Sequence, residues 1–84
     1  MKNVTIYTGP MCNYCEAAKR LLTRNKATYT EIDIAKVEGA MDEMIKKANG
    51  KRTIPQIFFD DQHIGGYDEV RALEKEKKLQ DLVK

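Results

Sequence analysis

The chain has 84 residues, enough for one domain spanning 1–84 and too few for two. Charged residues are plentiful but the net charge is only +2, and no basic stripe with interleaved aromatics appears, so nucleic acid is not an expected partner. No apolar run approaches the ~18 residues of a membrane span, and the N-terminus lacks an apolar signal segment, so no membrane partner and a cytoplasmic location are expected.

Val4 and Ile6 alternate with polar residues, so NVTIYT reads as a short strand. Gly9-Pro10 breaks it. A helix is predicted from about Tyr14, with Ala18, Leu21 and Leu22 on its buried face and Asn25 as its stop. ATYTEIDI (Ala27 to Ile34) alternates again, with Thr30, Ile32 and Ile34 on one side. EGAMDEMIKKANG reads as a second helix that buries Met41, Met44, Ile45 and Ala48 and is capped at Gly50.

TIPQIFFDDQHIGG then reads as a hairpin, with QIFF and QHI as strands across Asp60-Asp61. Pro55 opens the first of these, where a missing N–H is tolerated. A further helix is predicted from about Asp68, burying Val70 and Leu73. The run EKEKK (Glu74 to Lys78) reads as a solvated helix face. Leu79, Leu82 and Val83 supply a last amphipathic turn or short helix. The order βαβαββα predicts an α/β chain with a mixed four-stranded sheet flanked by helices, a thioredoxin-like arrangement.

Both cysteines, Cys12 and Cys15, fall where the first strand turns into the first helix. Cytosolic thiols are kept reduced, so a lone pair there points to reactivity or metal binding more than to a structural staple. A structural zinc site needs a full tetrahedral ligand set. The chain offers only these thiols and His63, which sits in the predicted hairpin.

A C-x-x-C at a strand–helix junction points to redox chemistry. Backbone N–H groups of the first helical turn lack intrahelical partners and favour thiolate over thiol. Cys12 precedes the helix and is expected to be exposed; Cys15 lies in the first turn and is expected to be covered. Cys12 is therefore the expected nucleophile and Cys15 the resolving thiol.

With the opening IYT strand, CNYC, TIP (Thr53 to Pro55) and GGYD (Gly65 to Asp68) in this order, the chain resembles the glutaredoxins over essentially its whole length. These are thioredoxin-fold thiol–disulfide oxidoreductases that use glutathione. The resemblance implies a cis peptide bond before Pro55, which turns the backbone of Ile54 toward the cysteinyl unit of glutathione, a form of strand addition. It implies that the γ-glutamyl carboxylate meets the backbone of Tyr67 and Asp68 beyond Gly66, while the Asp68 side chain pairs with the ammonium. Tyr14 matches the tyrosine that lines the cysteine site. Read without the family, Gly65-Gly66 makes a turn and Asp68 a helix cap.

Departures from the family pattern bear on affinity. Many glutaredoxins carry a lysine where this chain has Gly9, and a second contact to the glycine carboxylate of glutathione aligns with Asp42. Arg52 and Lys51 are the nearest candidate substitutes. Glu16, one turn beyond Cys12, opposes thiolate formation, so the Cys12 pKa is expected to be less depressed than in lysine-bearing relatives.

The implied partners are glutathione and disulfide-bearing or glutathionylated proteins, ribonucleotide reductase among them, acting on a monomer. Two alternatives stay open. The commonest family motif has proline where this chain has Asn13, and some relatives without it hold a 2Fe-2S cluster between two subunits, through the first cysteine of each and two glutathiones. Other glutaredoxin-like redoxins are reduced by thioredoxin reductase.

Overall fold

The computed structural model describes residues 2–83. Eight elements follow one another: β1 (Val4–Thr8), α1 (Asn13–Arg24), β2 (Tyr29–Asp33), α2 (Ala40–Lys47), β3 (Gln56–Phe59), β4 (Gln62–Gly65), α3 (Tyr67–Lys75) and α4 (Leu79–Val83). The strands form one mixed sheet in the order β2-β1-β3-β4. β1 runs parallel to β2, with α1 as the crossover, and antiparallel to β3; β3 and β4 form the hairpin. Asp60 takes the left-handed conformation (φ 53°) at the hairpin turn, which a short polar residue tolerates.

Strand alternation divides the apolar residues between two faces. Val4, Ile6, Ile57 and Phe59 face one side, where Ala18, Leu21 and Leu22 of α1, Val70 of α3 and Leu79 of α4 close over them. Tyr7 and Phe58 face the other, packed against Met44 and Ala48 of α2 with Ile32, Ile34, Ile45 and Ile54 around them. Each fully buried Leu or Ile contributes about 1.5–3 kcal/mol relative to exposure. The Tyr7 and Phe58 rings meet edge to face at 5.6 Å, and the Tyr7 hydroxyl donates to Glu43 across 3.1 Å. No helix among the described residues is long and apolar enough to cross a membrane.

Three expectations need correction. Met41 is 42% exposed, and Ala40 takes the buried position, so α2 faces the sheet with Ala40, Met44 and Ala48. α2 also ends at Lys47 with Ala48 as its C-cap, short of Gly50; Asn49 is left-handed (φ 57°) ahead of Gly50 (φ 88°), whose N–H returns to Ile45 O at 2.8 Å.

Glu74, the third correction, is not on a solvated face. Its carboxylate takes two hydrogen bonds of 2.8 Å from Arg24 and one of 2.6 Å from Asn25, joining α3 to the end of α1. Leu82 packs on the first cluster as expected; the Val83 side chain lies outside the described residues.

Candidate active site

The parallel β1–α1 unit delivers Cys12. Thr8 ends β1, Gly9 and Pro10 turn the chain, and Met11 adopts φ 54° with its side chain wholly exposed. Cys12 is then the N-cap of α1, in extended conformation, and its sulfur accepts the Cys15 N–H across 3.1 Å. The two cysteines are joined in a disulfide with Cα atoms 5.2 Å apart. Cys15 is 2% exposed and Cys12 half-buried, the inequality expected from their places on the helix.

Glu16 does not stand alone near the sulfur. Lys19, one turn on, holds its carboxylate at 3.0 Å and also reaches Glu31 at 3.2 Å. The opposition that Glu16 offers a thiolate is thereby reduced. Thr8 also donates to Glu31 at 2.7 Å, and that bond and Lys19 together outweigh burial to hold the Glu31 carboxyl below its usual range.

The loop before β3 passes on the far side of Cys12. The Ile54–Pro55 peptide bond is cis, and Ile54 O lies 3.9 Å from the Cys12 sulfur. Thr53, Ile54 and Pro55 form one wall of a groove of about 240 Å³. Gly66, Tyr67, Asp68 and Glu69, at the start of α3, form the other, and Tyr14 closes one end. The Tyr14 and Tyr67 rings lie 5.6 Å apart at 37°. A Cβ on Gly66 would sit 3.3 Å from Pro55 O, so a glycine there lets the two walls approach.

The start of α3 carries no side-chain cap on its first-turn amides. Gly66 has no side chain to offer; instead Glu69 reaches back and accepts the Gly66 N–H at 2.9 Å, half of a capping box. The start of α3, whose Tyr67 and Asp68 line the groove, therefore brings the partial positive charge of uncapped first-turn amides to that wall. The charged side chains lining the groove, Asp68 and Glu69, are both acidic. Such a place suits a ligand that carries a carboxylate and an ammonium close together.

Cys12, Tyr14, Thr53, Ile54, Pro55, Gly66, Tyr67 and Asp68 are thus brought together around the groove and the sulfur beside it. Arg52 is not among its lining residues; like Lys51 it is exposed on the approach to the loop. Sequence reasoning missed Glu69, which makes the cap contact assigned to Asp68; the signal was an acid at the third helical position after Gly66. It also missed Gln56, 1% exposed inside β3. His63 is pushed below the usual histidine pKa first by burial and then by the Lys51 charge, with Glu69 acting the other way.

Among the described residues, no three His, Cys, Asp or Glu side chains gather where they could hold a metal ion. Toward a bridging 2Fe-2S cluster, one chain offers the single accessible sulfur of Cys12, so the remaining ligands would come from a second copy and from bound thiols.

A family model described as Glutaredoxin matches residues 4–64. The chain belongs to the glutaredoxin family. It is 44% identical over 84 residues to Glutaredoxin 3 of Escherichia coli K12, covering 100% of both chains. The solution structure of the glutaredoxin from Brucella melitensis superimposes with a TM-score of 0.85 at 45% identity, over 100% of this chain and 90% of that one. The crystal structure of a buckwheat glutaredoxin–glutathione complex gives a TM-score of 0.84 at 27% identity, over 95% of this chain and 74% of that one. As a glutaredoxin of thioredoxin-like fold, the chain is a thiol–disulfide oxidoreductase.

Proposed function

We propose that this glutaredoxin is a glutathione-dependent reductase of protein disulfides and of glutathione mixed disulfides, acting as a monomer in a reducing cytoplasm. The observation that carries the reading is the Cys12 sulfur, held on the Cys15 amide beside a groove with a helix start in one wall. The buckwheat relative, described as a glutathione complex, supports the choice of thiol.

Glutathione lies with its γ-glutamyl carboxylate on the Tyr67 and Asp68 amides and its ammonium beside the Asp68 carboxylate. Its cysteinyl backbone pairs with Ile54 between Thr53 and Pro55, and Tyr14 covers the sulfur. Arg52 is the nearest cation for the glycine carboxylate, from outside the groove wall.

For a glutathione mixed disulfide, the Cys12 thiolate attacks the glutathione sulfur. The substrate thiolate leaves and takes up a proton. A second glutathione thiolate attacks the glutathione sulfur on Cys12, releasing oxidised glutathione and restoring the Cys12 thiolate. For a protein disulfide, Cys12 attacks one substrate sulfur, and Cys15, on losing its proton, attacks Cys12. The substrate leaves as a dithiol and the Cys12–Cys15 bond remains, to be reduced by two glutathiones. Glutaredoxin potentials of roughly −200 to −230 mV suit exchange with that pool.

The test compares electron donors: turnover of a glutathione mixed disulfide with glutathione and glutathione reductase, against turnover with thioredoxin reductase. Turnover at least about tenfold faster with glutathione, about 1.4 kcal/mol in the barrier, is expected. Reduction by thioredoxin reductase alone would assign the chain to the other class of redoxin.

A further inference from the structure

Gln56 carries an anomaly. It opens β3, a strand buried along its whole length, and it is itself 1% exposed. Burying a carboxamide is costly unless its donors and acceptor are all engaged. Here they are. Gln56 Nε2 donates to Thr53 O at 3.0 Å and to Thr53 Oγ1 at 3.1 Å, and Oε1 lies 2.7 Å from His63 Nε2.

The partners fix the orientation of the whole chain of bonds. A carbonyl oxygen only accepts, so the amide nitrogen must face Thr53 O. That leaves Oε1 for His63, which must donate from Nε2. The His63 ring is held in turn against Phe58, with centroids 5.0 Å apart. Both amide hydrogens therefore converge on one residue, three positions back and across the Ile54–Pro55 bond. The side chain ties the two ends of the Thr53–Pro55 wall together and leaves the Thr53 hydroxyl hydrogen free to donate.

We propose that Gln56, oriented by His63, is a positioning residue that sets the direction of the Ile54 backbone in the groove wall and thereby affinity for the glutathionyl unit. This rests on the reading of the groove given above. Gln56 touches neither the sulfur nor the groove; it acts through Thr53 and Ile54. Its loss loosens recognition while the Cys15 amide, at 3.1 Å, still holds the Cys12 sulfur; Ile54 O stands farther off at 3.9 Å.

Two variants test this in the full chain. Gln56→Met keeps size and removes both donors; Gln56→Glu keeps an acceptor for His63 and sets a carboxylate against Thr53 O. Each is expected to raise KM for a glutathionylated peptide about fivefold or more, the scale of one lost hydrogen bond, while kcat stays within about twofold. Alkylation of reduced Cys12 by iodoacetamide should be unchanged. Independently of any ligand, the backbone order parameters of Thr53 and Ile54 should fall in Gln56→Met while those of β1 and α1 hold.

Unchanged order parameters would overturn the tie, and lowered ones with unchanged KM would overturn the positioning role. KM and alkylation worsening in step would mark general destabilisation and also overturn it. A wild-type protein that ignores glutathionylated peptide would defeat the reading of the groove instead, with the order parameters still deciding the tie.

Discussion

The backbone amide of Cys15 points at the sulfur of Cys12 across 3.1 Å, so the more buried cysteine helps to hold charge on the more accessible one. A helix start supplies at most ~2 kcal/mol to an anion, about 1.5 pKa units. The direct N–H bond adds to this, and Lys19 draws the Glu16 charge away. Among the described residues, no cation lines the groove beside it.

The reduced protein should therefore show a Cys12 pKa depressed below that of a free thiol, because the Cys15 N–H faces the sulfur. Titration of thiolate absorbance on a Cys15→Ser variant measures it. A value below about 4.5 would show a source of stabilisation that the geometry lacks.

The space over Gly9 is already taken. A Cβ there would stand 2.7 Å from Ile54 Cδ1, so a side chain at position 9 requires Ile54 to move. A lysine at position 9, which the family resemblance would place there, therefore has to displace the δ-methyl of Ile54. Gly9→Lys alone should improve kcat/KM for a glutathionylated peptide little. Combined with Ile54→Val, which lacks the δ-methyl, it should gain about threefold or more from one partly screened charge contact. Equal gains with and without Ile54→Val would show that the steric conflict does not matter.

Glu74 makes stability depend on acid. Arg24 foremost, then Asn25, lowers its carboxyl pKa from 4.5 to about 2. A depressed carboxyl pKa stabilises the fold fully above the unfolded value, and the gain is lost as pH falls toward the folded value. The window is thus from about 4.5 down to about 2. The full shift would be about 3 kcal/mol, but screening of the half-exposed Arg24 brings it to about 1–2 kcal/mol. Urea unfolding of Glu74→Gln should show that loss at pH 7 and a smaller difference from wild type near pH 3. A difference that does not shrink with acid would contradict the assignment.

Local pattern carried most of the architecture. The strands were legible because Val4 with Ile6 and Ile32 with Ile34 recur at the strand period, and α1 because Ala18, Leu21 and Leu22 share one face. The phase of α2 was not: Met41 is the more hydrophobic, yet Ala40 is the residue that is buried. Glu74 looked solvated because its partner Arg24 lies on another element, and a charge run says nothing of that.

The same limit applied to the site. Cys12, Thr53–Pro55 and Gly66–Asp68 were legible as motifs with a mechanism behind each. Gln56 was not, since its partners Thr53 and His63 meet it only through the loop and the hairpin. Arg52 was chosen for its charge, which does not say which way an exposed side chain stands.

The division of labour between the two cysteines is tested most directly by release of glutathione from a glutathionylated peptide in the two single variants. Cys12→Ser should abolish it, a loss of at least about a thousandfold, or ~4 kcal/mol in the barrier. Cys15→Ser should retain it within about threefold, and mass spectrometry should find glutathione on Cys12. Activity surviving in Cys12→Ser, or lost in Cys15→Ser alone, would contradict the account.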